Sequence, residues 1–363
     1  MKYDYSNLID YLLDWFDLNA RILPWRENPI PYYVWISEIM LQQTRVEAVK
    51  VYFDRFITTL PDINALANAK EENLLKLWEG LGYYNRVRNL SKAAKIIMTE
   101  YDGKMPADYD ALQKLPGIGS YTAGAIASIA FSIPEPAVDG NVLRVLKRVA
   151  GSFDDITKEK VKRELEQDLR EIMPGDRPGD FNQSLMELGA LICIPNGKPL
   201  CDKCPIMHLC KAFHQEIQMQ IPVKPEKKPR KIENRTILLI EKDKKYAIRK
   251  RQEKGLLAGL WELPGLSGKL SAIELTEYLQ KQGINFNKIV PMGEAKHIFS
   301  HIEWHMVGFY VRLPDADLLA ETGNYNTLES SLLTSCIFAS TDEMEKEYSL
   351  PSAFGAYRNY IKE

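Results

Sequence analysis

Four cysteines constrain this chain more tightly than any other feature. Cys193, Cys201, Cys204 and Cys210 fall in the spacing Cys-x7-Cys-x2-Cys-x5-Cys, and Cys336 is the only other cysteine in 363 residues. Such clustering argues against a disulfide framework and for a metal site in a reducing compartment. Zinc and an iron–sulfur cluster both accept four thiolates, and the spacing alone leaves both open. His208 and His214 lie nearby, but four cysteines complete a site without them. The chain enters this loop through two helical patterns, Val161, Leu165, Leu169 and Ile172, then Phe181, Leu185, Met186, Leu188 and Leu191.

Upstream, residues 115–149 read LPGIGSYTAGAIASIAFSIPEPAVDGNVLRVLKRV. Pro116-Gly117-Ile118-Gly119 is a tight turn between two helical patterns, with Leu112 and Leu115 before it and Ala123, Ile126 and Ala127 after it. Its glycines permit close approach by another backbone and free the amides that open the next helix. Amides so placed point at an anion, so the hairpin can hold a nucleic-acid phosphate. Asp139-Gly140-Asn141 precedes the helix marked by Val142, Val145, Leu146 and Val149. The aspartate can cap that helix, and it can also present a carboxylate to a groove walled by the hairpin.

Nearer the N-terminus, Leu8, Tyr11, Leu12, Trp15 and Phe16 form the apolar face of a first helix, broken at Leu23-Pro24-Trp25-Arg26. Residues 33–45 predict a second helix, in which Glu38 sits among Trp35, Ile36, Ile39, Met40 and Leu41. On an exposed face this glutamate is unremarked. In a groove, desolvation would raise its pKa and keep it protonated near neutrality, as a general acid requires. Gln42 and Gln43 offer amides suited to base edges, with Thr44 beside them. Residues 80–89, GLGYYNRVRN, put two glycines, Tyr83, Arg86 and Arg88 on one expected connection. Arginines suit phosphates, and an aromatic ring can wedge into a base stack. Residues 91–101 and 109–115 read as short helices, and nothing up to this point suggests a sheet.

The length makes two domains the default, and 45% hydrophobic residues suffice for their cores. A net charge of −2 gives no global sign of a polyanion partner, although binding needs only a local basic face. No run approaches transmembrane length and no signal peptide opens the chain, so no membrane role is expected.

From Gln218 the character changes. Pro222, Pro225 and Pro229 among Lys224, Lys227, Lys228, Arg230 and Lys231 read as an extended basic linker. Thr236 to Ile240 and Tyr246 to Arg249 predict a β-hairpin, residues 273–282 a helix, residues 297–313 further strand, and residues 351–361 a last helix.

The segments PYYVWISEIMLQQTRV, GLGYYNRVRNL, LPGIGSYTAGA and VDGNVLRVL, followed by the four-cysteine loop, resemble in the same order the adenine DNA glycosylase (MutY) family of helix-hairpin-helix base-excision enzymes. The likeness covers most of residues 24–210. It implies a [4Fe–4S] cluster on the four cysteines, with one departure, a first gap of seven residues where the family pattern has six. It implies that Glu38 protonates N7 of adenine and that Asp139 stabilises the developing oxocarbenium ion and can trap it covalently. Tyr121 and Asn141 match residues beside the sugar, Trp25 and Arg26 match the adenine pocket, and Gln43 and Tyr83 match contacts around the mismatch, the tyrosine as wedge. A protonated and an ionised carboxylate suit a purine leaving group and a cationic sugar, once the base has left the stack. The related endonuclease III type carries a lysine at the second position after the hairpin, as Schiff-base nucleophile. Tyr121 stands there, and a phenol forms no imine, so a monofunctional enzyme without strong strand cleavage is expected.

In the C-terminal part, GLWELPG and the α+β order resemble a Nudix domain. The stretch SAIELTEYLQKQG has only Glu274 and Glu277 where a working Nudix hydrolase needs a carboxylate-rich metal helix. The resemblance therefore implies recognition, with Phe299-Ser300-His301 matching the loop that contacts 8-oxoguanine opposite the target adenine.

The expected architecture is an all-α, two-lobed catalytic region at residues 1–217, with a six-helix lobe at about 26–134 and a cluster lobe from 1–25 plus 135–217. A basic linker at 218–233 and an α+β Nudix-like recognition domain at 234–363 follow. The expected partner is double-stranded DNA with adenine opposite 8-oxoguanine or guanine, met by a monomer in the cytoplasm. Two alternatives stand beside this reading, a bifunctional pyrimidine-lesion lyase and a non-catalytic lesion-binding or iron–sulfur sensing protein.

Overall fold

The computed structural model of the protein describes residues 3–225, 229–314 and 332–361. The chain forms two compact units: residues 1–69 with 85–226, and residues 70–84 with 227–363. The second is discontinuous, because a short stretch from the helical half belongs with the C-terminal part. Among the described residues no helix is long and apolar enough to cross a membrane.

The first unit is all helix. Its helices are α1 (Ile9–Asn19), α2 (Pro24–Glu27), α3 (Pro31–Leu41), α4 (Val46–Thr59) and α5 (Ile63–Asn68). Helix α6 (Glu71–Leu77) belongs to the other unit, and α7 (Asn85–Glu100), α8 (Tyr109–Lys114), α9 (Ser120–Phe131), α10 (Gly140–Ala150), α11 (Glu159–Arg170), α12 (Pro178–Leu191) and α13 (Lys211–His214) complete the first. Prolines at the first helical position start α2, α3 and α12, where a missing N–H costs nothing. Aspartates cap α5, α8 and α10. Helix α3 lies in the middle, with Val34, Trp35, Ile36, Ile39 and Met40 all buried, and packs on α4 and α9. A second core joins Leu8 and Leu12 to Val142 and Leu146 of α10, Leu165 and Leu169 of α11, and Phe181, Leu185 and Leu188 of α12.

Several boundaries differ from the sequence reading. Helix α3 stops at Leu41, so Gln42, Gln43 and Thr44 lie in a turn, with Gln43 at φ 61°. Arg86 and Arg88 sit on α7, not on a connection, because the helix starts at Asn85. Tyr11 leaves the apolar face of α1; it is half exposed and its ring packs edge-on against His208.

The second unit is built on a mixed sheet. Its strands are β1 (Lys231–Lys242), β2 (Lys245–Lys250), β3 (Trp261–Glu262), β4 (Gly265–Ser267), β5 (Lys288–Ile298), β6 (Ile302–Arg312) and β7 (Cys336–Ala339). The order is β3-β2-β1-β6-β5, with β4 on β1 and β7 on β2. Strands β1 and β6 run parallel, and β1–β2 is the expected hairpin, Glu241 opposite Tyr246. Residues 236–240 of β1 are buried on both faces, which explains the apolar run from Ile237 to Ile240. Ile237 and Leu239 face one core with Trp304 and Phe354, while Leu238 and Ile240 face another with Leu275 and Leu279 of α14 (Ala272–Lys281). Helices α15 (Thr341–Lys346) and α16 (Gly355–Arg358) cover the first face. Gly308 has no side chain because the Tyr357 ring lies where a Cβ would be. Strand β1 begins inside the segment read as a tether, and Lys227 and Lys228 of that segment lie outside the described residues.

Candidate active site

A cleft of about 660 Å³ opens in the helical unit, lined by Glu38, Gln42, Gln43 and Thr44 from α3 and its following turn, Tyr121 from α9, and Asp139 and Asn141 from α10. Trp25, Arg26, Gln183, Met186 and Glu187 also line it. Glu38 is only 6% exposed. The Tyr121 hydroxyl donates to Glu38 Oε2 at 2.5 Å. Burial raises the Glu38 carboxyl to about 7; Tyr121 and Arg26 oppose that shift, and the neighbouring Asp139 charge adds to it. Tyr121 itself is held well above its ordinary value, first by burial and then by the two carboxylates, so it stays a donor.

Asp139 performs two tasks at one place. Its Oδ1 accepts from the backbone N–H groups of Asn141 and Val142, both at 2.8 Å, capping α10. Its Oδ2 accepts from Asn141 Nδ2 at 2.7 Å. Burial moves its pKa upward against the pull of these hydrogen bonds and of Arg144. The pocket thus pairs a carboxyl poised to hold a proton near neutrality with one that accepts three hydrogen bonds.

Asp139 is held from behind as well. Gly124 of α9 lies so close to Pro136 that a Cβ would meet its carbonyl oxygen at 2.1 Å. Asn182, fully buried, donates to Ser128 Oγ and the Glu135 carbonyl, both at 2.8 Å, and accepts from Ala137 N–H at 3.0 Å. The strand of chain leading to Asp139 is therefore pinned between α9 and α12.

Sequence reasoning missed the contribution of α12. Gln183 Oε1 accepts from Arg26 Nε at 2.8 Å, and buried Glu187 accepts from Arg26 at 3.0 Å and from Arg21 Nε at 2.6 Å. Burial alone would raise the Glu187 carboxyl, but these two guanidinium groups hold it below its ordinary value. The only local signal is the spacing, which puts Gln183, Met186 and Glu187 on one helix face.

The hairpin joins α8 to α9. Ile118 is buried, and Gly117 has φ 82° with Asn89 packed where a Cβ would clash. Gly119 caps α9 with open space around it, and Pro116 is half-buried. The Ser120 hydroxyl donates to Glu166 at 2.8 Å and accepts from Lys162 at 3.0 Å. Arg86 turns inward: its NH1 donates to the carbonyls of Ile39, Met40 and Gln42, closing the C-terminus of α3. Arg88 is half-buried on the same helix.

The four cysteines form no disulfide and line one further pocket with Val145, Arg148, Val149, Leu188 and Ile192. Arg148 NH1 donates to Cys193 Sγ at 3.2 Å, an interaction suited to a thiolate. Arg144 donates to the Cys193 carbonyl at 2.8 Å and to Asn141 Oδ1 at 2.9 Å, so α10 ties this loop to the catalytic pocket. Among the described residues no three His, Cys, Asp or Glu side chains converge closely enough to hold a single metal ion.

In the second unit, Phe299-Ser300-His301 is the turn between β5 and β6, closed by Phe299 N–H donating to the Ile302 carbonyl at 2.8 Å. The Phe299 ring packs edge-on against Trp304 and His297, leaving Ser300 and His301 exposed. Tyr83, half exposed at φ 47°, shares a hydrogen bond of 3.0 Å with Ser300 Oγ. His305 Nε2 bonds Glu303 at 2.7 Å, and Glu274 completes a capping box with Ser271 at the start of α14.

A helical unit with a hairpin and a buried carboxyl pair in its cleft defines a base-excision DNA glycosylase. Residues 36–171 match the HhH-GPD superfamily of base excision DNA repair proteins, and residues 235–358 match the NUDIX domain. In structure, a thermostable thymine-DNA glycosylase superposes with a TM-score of 0.53 at 28% identity, over 58% of this chain and 96% of that one. A non-covalent endonuclease III–DNA complex gives 0.51 at 26%, over 60% and 100%. The adenine DNA glycosylase of Buchnera aphidicola subsp. Schizaphis graminum is 38% identical over 313 residues, 86% of this chain and 88% of that protein. Those of Mus musculus and Homo sapiens are each 35% identical over 80% of this chain, covering 68% and 64% of their own lengths. The chain belongs to the adenine DNA glycosylase family, and it is a DNA N-glycosylase of base excision repair.

Proposed function

We propose that the protein removes adenine mispaired with 8-oxoguanine, or with guanine, from double-stranded DNA by monofunctional hydrolysis. One observation carries the mechanism: the Tyr121–Glu38 hydrogen bond inside a desolvated cleft that also holds Asp139. With one Glu38 oxygen accepting from Tyr121, the other carries the acid proton and delivers it to N7 of a flipped adenine. Protonation turns the purine into a competent leaving group, and the sugar becomes cationic as the bond lengthens. As the anion, Asp139 stabilises that cation and can trap it, while Asn141 fixes the carboxylate's orientation. Water then completes hydrolysis. Trp25, Arg26 and Gln183 fit the base, and Gln42, Gln43 and Thr44 lie where the mismatch would meet the cleft.

Because Tyr121 replaces the lyase lysine, the abasic product leaves with its strand intact. The hairpin at Gly117–Gly119, which leads into the N-terminus of α9, together with Arg88, suits DNA phosphates. Arg86 contributes by closing α3 instead. Tyr83 acts as the wedge, and Phe299, Ser300 and His301 read the opposite base, which makes the C-terminal domain a lesion reader. The four cysteines fit a [4Fe–4S] cluster: four free cysteines line one pocket and a guanidinium bonds one sulfur. Such a cluster supplies four iron–thiolate cross-links, and base hydrolysis needs no electrons from it. The protein is expected to act as a monomer in the reducing compartment that holds the genome.

The test is single-turnover processing of a duplex with adenine opposite 8-oxoguanine, with and without hot alkali. Breaks that appear only after alkali are expected. Breaks without alkali would make the protein a lyase, and none at all in cluster-loaded protein would leave a binding function.

A further inference from the structure

We propose that Lys76, Glu79 and Arg358 form a positioning hub that fixes the Tyr83 loop against the Phe299–His301 turn and so sets opposite-base discrimination. The proposal rests on the reading of Tyr83 and Ser300 given above and adds residues outside that reading. Residues 70–84 belong to the same compact unit as the C-terminal domain. They are fastened to it at their middle. Lys76 Nζ donates to Glu79 Oε2 at 2.6 Å and to the carbonyls of Met344 and Tyr348 at 3.3 and 3.2 Å. Those carbonyls close the C-terminal end of α15, where a cation is favoured. Glu79 Oε1 accepts from Arg358 NH1 of α16 at 2.8 Å, so one carboxylate joins two cations that anchor on two different helices. Beside the hub, the buried Ser349 hydroxyl donates to the Leu75 carbonyl at 3.2 Å.

Between this hub and Tyr83 the backbone is forced into a narrow shape. Gly80, Gly82 and Tyr83 have φ of 102°, 70° and 47°. Two of these are glycines, but a tyrosine in the left-handed region persists only where its surroundings hold it. The Trp78 indole N–H donates to the Gly82 carbonyl at 3.1 Å, clamping the turn from inside. At the far end the Tyr83 hydroxyl reaches Ser300 Oγ. A strained, half-exposed ring thus has a rigid attachment on one side and the reading turn on the other. Loosening the attachment frees the ring to leave Ser300 without touching the carboxyl pair that does the chemistry.

The experiment compares single-turnover adenine release opposite 8-oxoguanine and opposite guanine, for the full-length cluster-loaded protein and its Glu79→Gln, Arg358→Gln, Arg358→Lys, Tyr83→Phe and Ser300→Ala variants. Glu79→Gln and Arg358→Gln should lower the ratio of the two rates three- to tenfold, through the 8-oxoguanine substrate, with the guanine rate moving less than twofold. Arg358→Lys keeps the charge and should restore most of the ratio. The double variant Glu79→Gln/Tyr83→Phe should have the ratio of Tyr83→Phe alone, because both changes break one device. Equal loss on both substrates, an unchanged ratio in Glu79→Gln and Arg358→Gln, or a fully additive double variant would overturn the hub while leaving Tyr83 and Ser300 as readers. An unchanged ratio in Tyr83→Phe and Ser300→Ala would overturn the reading itself, and the hub with it.

Discussion

The cleft around Glu38 and the turn around Ser300 both use a handful of polar side chains, at opposite extremes of exposure. Glu38 is nearly sealed from solvent, and Asp139, Asn141, Arg26 and Glu187 each have partners within the protein. Ser300 and His301 stand in solvent, and the turn is held from below by the Phe299 ring against Trp304. The difference fits the two tasks proposed for them. Moving a proton onto a purine near neutral pH needs a carboxyl whose charged form is disfavoured, and desolvation achieves that. Reading a base edge needs donors and acceptors that can exchange water for the base. Changes in the cleft should therefore alter rate, and changes in the turn should alter preference.

The largest effect tests the first half of that contrast. Glu38→Gln keeps the shape and the acceptor for Tyr121 but has no acid proton. Single-turnover base release should fall about 10³-fold, within the usual range for a general acid, while duplex binding in a mobility-shift titration changes less than twofold. A Glu38→Gln protein that retained full activity would remove Glu38 from the mechanism and collapse the comparison.

The same substitution should stabilise the fold at alkaline pH. The Glu38 carboxyl titrates near 7 in the folded protein, against 4.5 for a free side chain. The folded state therefore binds the extra proton between these values. Its contribution to stability is fully present below about 4.5 and is lost as pH rises through 7. Above pH 8 the buried carboxylate costs about 3–4 kcal/mol, and Glu38→Gln should recover most of it. Denaturant titrations at pH 5 and pH 8.5 would measure this. A stabilisation as large at pH 5 as at pH 8.5 would mean that burial is not tuning this acid. The rate should follow the same group, declining as pH rises above about 7 in the wild-type protein.

Asn182 sharpens the contrast from the scaffold side. Asn182→Ala leaves the Ala137 N–H and the Glu135 carbonyl unpaired in a buried position, at about 1–3 kcal/mol in stability. Asp139 follows two residues later, so base release should fall about tenfold at saturating protein, with the 8-oxoguanine-to-guanine preference unmoved. A shift in preference would show that the two regions are not separable.

Much of the cleft was legible because local pattern and chemistry coincided. Glu38 stood out in an apolar helix, Asp139 opened a helix as a cap, and Gly117 marked a turn that only glycine fits. The cysteine spacing named a common site, and the four thiols do share one pocket. What stayed hidden depended on partners distant in sequence. Arg86 reads as a phosphate ligand in a glycine-rich stretch, and only the packing of α7 on the end of α3 brings it three carbonyls. Helix α6 has an ordinary amphipathic pattern, so nothing local reveals that Lys76 bonds Met344, 268 residues away. Gln183 and Glu187 were overlooked because polar residues on an amphipathic helix read as solvent-facing until Arg26 and Arg21 are placed beside them.

The smallest effect lies at the turn. Phe299 sits edge-on to Trp304, ring centroids 4.9 Å apart, and to His297 at 4.6 Å. Trp304 is in turn covered by the Arg235 guanidinium, 3.9 Å from its ring centre. Phe299→Leu removes the two edge contacts, worth about 0.5–1.5 kcal/mol each beyond simple burial, but keeps an apolar plug under the turn. The Ser300 and His301 side chains would keep their identity and lose some of their fixed direction. Adenine release opposite 8-oxoguanine should therefore slow two- to fivefold relative to release opposite guanine, with the pH dependence of both reactions unchanged. A loss shared equally by the two substrates would place Phe299 in the fold of the domain and not in reading. A shifted pH profile would mean that the turn acts on Glu38 itself, and exposed reading and buried chemistry would then be one device.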